Sequence, residues 1–231
     1  MAYVLAVDNS GSLRTQLSTV IDAAKLVVAS TQPNEKALLL RFISADKIQT
    51  LVNFTSDRRS LVNGLEEMYI EGGLSAIVDA VYFGNEQVAK YTQGNDTTRR
   101  SLLLITDGEE RASFYKKEQL FARLQETGLQ VFIIGFVSEL DKRSREKAVN
   151  FLSRLADETG GRVFYPGSGM ELERIAKEIM TEMRAPYVLG YNSTHATRDG
   201  SLRKVRVEIV NQPEGVKLTA TARAGYVAPK N

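Results

Sequence analysis

The sequence contains no cysteine and no tryptophan, and it has a single histidine. Without cysteine the chain cannot form a disulfide framework, a thiolate nucleophile, an iron–sulfur cluster or a cysteine-rich zinc site. One imidazole cannot build a histidine-based metal centre either. Any metal ion must therefore be held by oxygen ligands.

An excess of one charge and long apolar runs are also missing. The chain has 30 Lys and Arg against 28 Asp and Glu, a net charge of +2, which does not favour a nucleic-acid or membrane-surface protein. No stretch approaches the roughly 18 apolar residues of a transmembrane helix, so we expect no membrane insertion. Residues 1–8 lack the basic segment that opens a signal peptide.

The chain instead alternates two kinds of segment. Short apolar runs predict strands that are buried on both faces, at residues 4–7, 37–43, 102–105 and 131–137. The segments between them have apolar residues at helical spacing, as in Leu13, Leu17, Val20, Ile21, Ala24, Val27 and Val28. This alternation predicts an α/β fold with a doubly wound, mostly parallel sheet and helices on both faces.

The character of the sequence changes near residue 186. Residues 187–191 form a short apolar run, and residues 204–209 and 218–224 alternate polar and apolar side chains. Such alternation is typical of antiparallel strands with one exposed face. The sequence therefore predicts an α/β domain over residues 1–185 and a C-terminal antiparallel β appendage over residues 186–231.

Polar side chains follow the first predicted strand in the loop Asp8-Asn9-Ser10-Gly11-Ser12. In doubly wound folds ligands bind outside the carboxyl ends of the strands, so this loop lies at the functional edge. It places one carboxylate and two hydroxyl groups at alternate positions. These are oxygen ligands of the kind that Mg²⁺ and Mn²⁺ prefer.

Two further loops can reach the same edge. Thr106-Asp107-Gly108 ends another buried strand and supplies Asp107, while Gly72-Gly73-Leu74-Ser75 precedes a helix and supplies Ser75. The full candidate metal-ligand set is Asp8, Ser10, Ser12, Ser75 and Asp107.

Together these motifs resemble the metal-ion-dependent adhesion site of von Willebrand factor type A domains. The resemblance rests on Asp8-x-Ser10-x-Ser12, on Gly-Gly with Ser75 four residues before Asp79, and on Thr106-Asp107-Gly108, and it covers roughly residues 3–183. A closer likeness is to the acidobacterial-type subgroup of these proteins. It is carried by residues 106–113, by Thr159-Gly160-Gly161 and by residues 187–191.

The resemblance implies a bacterial protein-binding or adhesion module that is not an enzyme. Ser10 and Ser12 would ligate the ion directly, Ser75 would take the position of the family's Thr, and Asp8 and Asp107 would act directly or through water. Mg²⁺ is the expected ion, with Mn²⁺ as an alternative and Ca²⁺ less favoured. A partner protein would present an Asp or Glu carboxylate that replaces a water molecule on the ion.

The resemblance also bears on location. Members of the family often carry a secretion signal and a preceding β-domain, and residues 1–231 show neither. We therefore expect an extracytoplasmic protein from which these segments have been trimmed.

Other interpretations of the same residues remain open. The loop with Asp8 could serve only as a helix N-cap, and Asp107-Gly108 could be an ordinary turn. A Mg²⁺-dependent hydrolase could use Asp8 as a nucleophile, although Ser10 stands where a second acid is needed. The chain could also be an interaction scaffold that needs no metal. Glu109 and Glu110 are expected to be solvated loop residues.

Overall fold

The computed structural model describes residues 1–95, 98–184, 193–194, 197–210, 215, 218 and 220–228. Its main sheet has six strands, namely β1 Ala2–Asp8, β2 Lys36–Phe42, β3 Ile48–Thr55, β4 Arg100–Thr106, β5 Gln130–Gly135 and β6 Val163–Phe164. They lie in the order β3-β2-β1-β4-β5-β6. Within this sheet, as the structure describes it, only the β2–β3 pair is antiparallel.

In the described part of the chain, six α-helices connect or follow the strands. They are α1 Leu17–Ser30, α2 Arg58–Glu66, α3 Ile77–Tyr91, α4 Lys117–Thr127, α5 Lys142–Thr159 and α6 Leu172–Arg184. None of the helices within the described ranges is long and apolar enough to cross a membrane.

The helices cover both faces of the sheet. Alternate residues of β1 point to opposite faces. Tyr3, Leu5 and Val7 pack in the core that contains α1, α2 and α6, whereas Val4 and Ala6 pack in the core of α3, α4 and α5. Burial on both faces explains why the central strands are continuous apolar runs. The predicted doubly wound, mostly parallel fold is confirmed.

The topology fixes where a ligand can bind. From β1 the chain first builds β2 and β3 on one side of the sheet and then returns to β4 on the other side. β1 and β4 are neighbours in parallel register, with Val7 opposite Ile105. Their carboxyl ends therefore meet at the point where the strand order reverses, which is the usual ligand position in open α/β sheets.

Some element boundaries differ from the prediction. β3 was not predicted because its side chains are mostly half-buried and its ladder with β2 contains register shifts, so no clear period marks it. The first helix begins at Leu17, four residues after the Leu13 with which the helical spacing in the sequence begins. A single 3₁₀ turn, Gly11–Leu13, comes between the loop and α1.

The C-terminal strands are shorter than predicted. β7 Leu202–Lys204 and β8 Gly225–Val227 form a separate antiparallel pair. The hydrogen bond from Val205 N–H to the carbonyl of Ala224 is 2.9 Å long and lies at the end of this ladder. Beyond it, residues 206–210 and 220–223 lie outside strands, so the alternation of polar and apolar residues predicted more strand than the structure has there. The predicted strand at 187–191 lies outside the described residues.

The β7–β8 pair, called the hairpin below, packs against the ends of α4 and α5, where Arg223 lies near Gly128 and Gly160. Gly160 has a φ of 71° and ends α5, and a Cβ there would lie 2.5 Å from the backbone N of Arg223. Only glycine therefore lets the segment before β8 approach this closely. The hairpin consequently lies at the amino edge of the main sheet.

Candidate metal centre

Asp8, the last residue of β1, is fully buried. Its Oδ1 accepts a 3.0 Å hydrogen bond from the backbone N–H of Ser10. Its Oδ2 accepts hydrogen bonds from two hydroxyl groups, that of Ser75 at 3.0 Å and that of Thr106 at 2.6 Å. One carboxylate thus joins the loops that follow β1 and precede α3 with the end of β4.

Two serine hydroxyls lie next to this carboxylate. The Oγ atoms of Ser10 and Ser12 are 3.1 Å apart. Ser10 is buried, whereas Ser12 is exposed. The Ser10 side chain makes no hydrogen bond that caps the 3₁₀ turn after it. The N-cap interpretation therefore does not account for Ser10.

Asp107 follows β4 and is only 1% exposed. Its Oδ1 accepts a 2.9 Å hydrogen bond from the backbone N–H of Glu109. Its Oδ2 is buried and has no hydrogen-bond partner within the described part of the chain. An unpartnered buried carboxylate oxygen is costly in a folded protein, so this atom needs an explanation.

The two carboxyl groups influence each other. Burial, together with the negative charge of Asp107, raises the pKa of Asp8 to about 6, against the lowering effect of the hydrogen bonds from Thr106 and Ser10. Burial also raises the pKa of Asp107, against the opposing effects of the Ser12 hydroxyl and the Glu109 N–H. Two buried carboxylates this close repel each other when both are ionised. A bound cation would relieve that repulsion.

Glycine residues bring the loops into contact. The N–H of Gly11 donates a 3.4 Å hydrogen bond to the carbonyl of Gly73. Gly73 has a φ of 114°, and a Cβ there would lie 2.5 Å from Cγ2 of Ile43. Asn9 adds a second link, because its Nδ2 donates a 2.6 Å hydrogen bond to the carbonyl of Tyr69. The loop that carries Ser75 is thereby held against the loop that carries Ser10 and Ser12.

Glu110 is not the solvated loop residue that the sequence predicted, because its carboxylate makes hydrogen bonds within the protein. Its Oε2 accepts a 2.9 Å hydrogen bond from the N–H of Val78 and another of 2.9 Å from the hydroxyl of Ser113. Val78 lies in the first turn of α3, whose preceding residue Ala76 provides no side-chain cap. Glu110 therefore caps α3 from another loop, and its charge is favourable at a helix N-terminus.

Asp79 completes the connection between these loops. It is 5% exposed and accepts hydrogen bonds from the backbone N–H groups of Phe114 at 2.7 Å and Tyr115 at 2.9 Å. The carbonyl of Ser75 accepts from the N–H groups of Arg111 and Ala112, at 2.9 and 3.1 Å. The segment after Asp107 is thus fixed to the start of α3. Asp79 entered the sequence analysis only as part of a motif.

Three large apolar side chains are exposed in the same loops. Tyr69 is 59% exposed, Leu74 is 52% exposed and Phe114 is 82% exposed. Tyr69 and Leu74 lie in the segment before Ser75, and Phe114 follows Asp107. Clusters of this kind are typical of surfaces that contact other proteins.

The five predicted ligand residues are therefore linked in one place. Within the described ranges no cluster of three or more His, Asp or Glu side chains could hold a metal ion. The donor set here has a different composition, with two carboxylates and three hydroxyls. Its hard oxygen atoms and the unpartnered Oδ2 of Asp107 fit Mg²⁺ or Mn²⁺.

Comparison with known families decides the relationship. Residues 4–178, about three quarters of the chain, match the family model of the von Willebrand factor type A domain. The chain belongs to the von Willebrand factor type A (VWA) domain family. Domains of this family often mediate protein–protein interaction and are generally not enzymes. No curated protein matches the sequence.

Solved structures share the fold of this VWA domain. A von Willebrand factor type A protein from Catenulispora acidiphila has a TM-score of 0.64 and 13% identity, and the match covers 79% of this chain and 42% of that one. An aerotolerance-related membrane protein from Bacteroides fragilis has a TM-score of 0.62 and 20% identity, with 80% and 98% covered. Proximal thread matrix protein 1 from the mussel byssus has a TM-score of 0.61 and 17% identity, with 79% and 47% covered.

These identities relate the proteins by fold alone. The VWA domain described here spans less than half of the Catenulispora and mussel proteins.

Proposed function

We propose that this VWA domain is a protein-binding module whose activity depends on a divalent cation held by Asp8, Ser10, Ser12, Ser75 and Asp107. Mg²⁺ is the proposed ion, with Mn²⁺ as a substitute and Ca²⁺ less suited to the site. The proposed ligand is a carboxylate from an Asp or Glu of a partner protein.

The observation that carries the proposal is the pair of buried carboxyl groups. Asp8 and Asp107 are 0% and 1% exposed, and Oδ2 of Asp107 has no partner among the described residues. Two buried carboxylates in one place are electrostatically unfavourable when both are ionised, and a bound cation would relieve their repulsion. The helix-cap and turn interpretations explain neither the pairing nor the unpartnered oxygen.

The side chains have distinct tasks in this proposal. The hydroxyls of Ser10, Ser12 and Ser75 would ligate the ion, and Asp8 would orient Ser75 through the hydrogen bond it accepts from that hydroxyl. With few charged ligands among these side chains, a bound Mg²⁺ would keep positive charge and a position open to a carboxylate from the partner. Tyr69, Leu74 and Phe114 would contact the partner around that carboxylate and contribute specificity.

Two finer assignments follow from the resemblance noted in the sequence. We propose that the acidobacterial-type VWA-related proteins are the nearest relatives, and that the domain works outside the cytoplasm in adhesion. Subcellular fractionation of the native host, with detection of the chain in the extracytoplasmic fractions, would test the location.

A thermal-shift titration tests the metal site. Saturation with Mg²⁺ at about a hundred times its Kd adds about 2.7 kcal/mol, which corresponds to about 5–10 °C in Tm for a domain of this size. Ser12→Ala removes one proposed ligand of the ion and should therefore abolish the response. It should leave the fold intact, because Ser12 is exposed. Ser18→Ala is the matched control, because Ser18 is an exposed serine in the first turn of α1.

Two other outcomes would point to the rival functions. No stabilisation by Mg²⁺ or Mn²⁺, or an unchanged response in Ser12→Ala, would favour a scaffold that needs no metal. Turnover of generic phosphate esters that Asp8→Asn abolishes would favour a hydrolase. The hydrogen bonds on both oxygens of Asp8 argue against its use as a nucleophile.

A further inference from the structure

A cleft of about 630 Å³ opens beside the candidate metal centre. Gly108, Glu109 and Arg111 form one wall directly after Asp107. Side chains of α4 and α5 form the opposite wall. The cleft is thus continuous with the metal centre along the chain, and its volume lies within the usual range for ligand sites.

The walls of the cleft carry more cationic than acidic groups. Its lining includes four cations, namely Arg111, Lys117, Lys147 and Arg154, and two acids, Glu109 and Glu110. Both acids are already engaged. Glu110 caps α3, and Glu109 pairs with Arg111 at 2.5 Å. Neither acid is therefore available to neutralise the lysines.

Two lysines remain for an external ligand. Arg154 pairs with Glu158 at 2.7 Å. Lys117 and Lys147 have no ion pair with any residue that the structure describes. The ammonium group of Lys117 lies 3.9 Å from the ring centroid of Phe151, a cation–π contact that orients it without neutralising it. Lys147 is exposed on the same side of α5 as Ala148 and Phe151, which also line the cleft.

We infer that this cleft binds further carboxylates of the same partner segment, so that the ligand is an acidic stretch of polypeptide rather than a single acidic residue. The inference rests on the proposed function, which places one carboxylate at the adjoining metal centre. Lys117 and Lys147 would pair with acidic side chains that flank it, and Ser144 and Asn150 offer hydrogen bonds at the rim. Complementary charge of this kind sets specificity and association rate.

Fluorescence anisotropy with labelled synthetic peptides tests the inference. One peptide has a single Glu in a Gly/Ser background, and the other has the same Glu flanked by additional Asp and Glu residues. With Mg²⁺ present, we expect the acidic peptide to bind about tenfold more tightly to the natural chain. Lys117→Gln/Lys147→Gln should remove most of that advantage and leave binding of the single-Glu peptide unchanged.

The matched control has the same change in charge at the other edge of the sheet. Arg59→Gln/Lys90→Gln neutralises two exposed cations, one at the start of α2 and one at the end of α3. It should retain the full preference for the acidic peptide. Lys147→Gln alone disturbs no ring contact and should lower the preference about threefold, which separates a charge effect from any loss of packing around Phe151.

The outcomes separate this inference from the metal proposal. Equal binding of the two peptides by the natural chain, an undiminished preference in the Lys117/Lys147 variant, or no binding of the acidic peptide overturns the inference. If binding of the acidic peptide persists in EDTA and still depends on Lys117 and Lys147, the cleft is supported and the metal proposal fails. If binding needs Mg²⁺ but not the lysines, the metal proposal stands and the cleft does not.

Discussion

The hydroxyl of Thr106 donates a 2.6 Å hydrogen bond to Oδ2 of Asp8 across two neighbouring parallel strands. The same Thr106 Oγ1 accepts a 3.1 Å hydrogen bond from the N–H of Gly108. Thr106 therefore connects the buried carboxylate of one loop with the backbone of the other. It was not among the predicted ligands, and its effect is to position them.

Replacing Thr106 by valine tests this connection. Thr106→Val keeps the shape of the side chain but leaves Asp8 with one hydrogen bond fewer in a buried place. We expect a loss of about 1–3 kcal/mol in the free energy of unfolding, measured with urea. Thr106→Ser retains the hydroxyl and should lose less. A loss in Thr106→Ser as large as that in Thr106→Val would contradict this account, because only the serine variant keeps the hydrogen bond to Asp8.

The adjacent acids Glu109 and Glu110 should respond differently to the same change. Glu110→Gln weakens the cap on α3, and we expect a loss of about 1–2 kcal/mol in unfolding free energy. Glu109→Gln disrupts only a pair with Arg111, whose side chain is 49% exposed, and should cost at most about 1 kcal/mol. Urea unfolding of both variants measures the difference. The assignment of Glu110 fails if the order is reversed.

Two neighbouring glycines separate backbone strain from a steric clash. Gly72 and Gly73 both have positive φ, but a Cβ on Gly72 has open space, whereas one on Gly73 would meet Ile43. Gly72→Ala should cost about 1–2 kcal/mol from strain alone. Gly73→Ala should cost more, and it should weaken Mg²⁺ binding because the Ser75 loop must move. Similar Tm values and Mg²⁺ affinities for the two variants would contradict this account.

Acid should weaken one particular tertiary contact. The carboxylate of Glu35 accepts hydrogen bonds from Arg184 Nε at 2.8 Å and Nη2 at 3.0 Å, and from the N–H of Gln32 at 2.7 Å. Burial raises the pKa of Glu35, but the bonds from Arg184 and Gln32 outweigh it, so the pKa is lowered overall. Folding therefore favours the ionised form of Glu35.

The sign of the pH effect follows from that lowered pKa. The stabilisation is complete above the ordinary Glu pKa of about 4.3 and is lost as the pH falls through the lower folded value. The difference in unfolding free energy between the natural chain and Glu35→Gln should shrink from pH 7 towards pH 3. Glu158→Gln, in an exposed pair with Arg154, should differ from the natural chain by less than about 0.5 kcal/mol at pH 7. A gap for Glu35→Gln that widens in acid would refute the assignment.

The sequence predicted the central strands because burial on both faces requires continuous apolar runs, as in the segment from Val4 to Val7. The helix caps at Asp57, Gly128 and Gly160 are equally local, because each depends on one side-chain acceptor or one left-handed backbone conformation. The sequence did not predict β3, whose mixed burial has no clear period.

The network around the site was harder to predict. Glu110 and Asp79 act on backbone groups more than 30 positions away, and Thr106 acts on a residue 98 positions away. No local pattern encodes such pairs, because the fold alone brings them together. The sequence offered one signal, the pair Thr106-Asp107 at the end of a buried strand. That signal identified Asp107 and not Thr106.

The close approach at Gly160 has a practical consequence for how the protein can be held. It places the hairpin at the amino edge of the sheet. β1 also begins at this edge, and Asp8 ends β1 about 20 Å away at the opposite edge. A biotin or a surface linkage at Met1 therefore leaves the carboxyl edge facing outward. Immobilised in that orientation, every molecule on a sensor chip presents its ligand-facing loops to the solution.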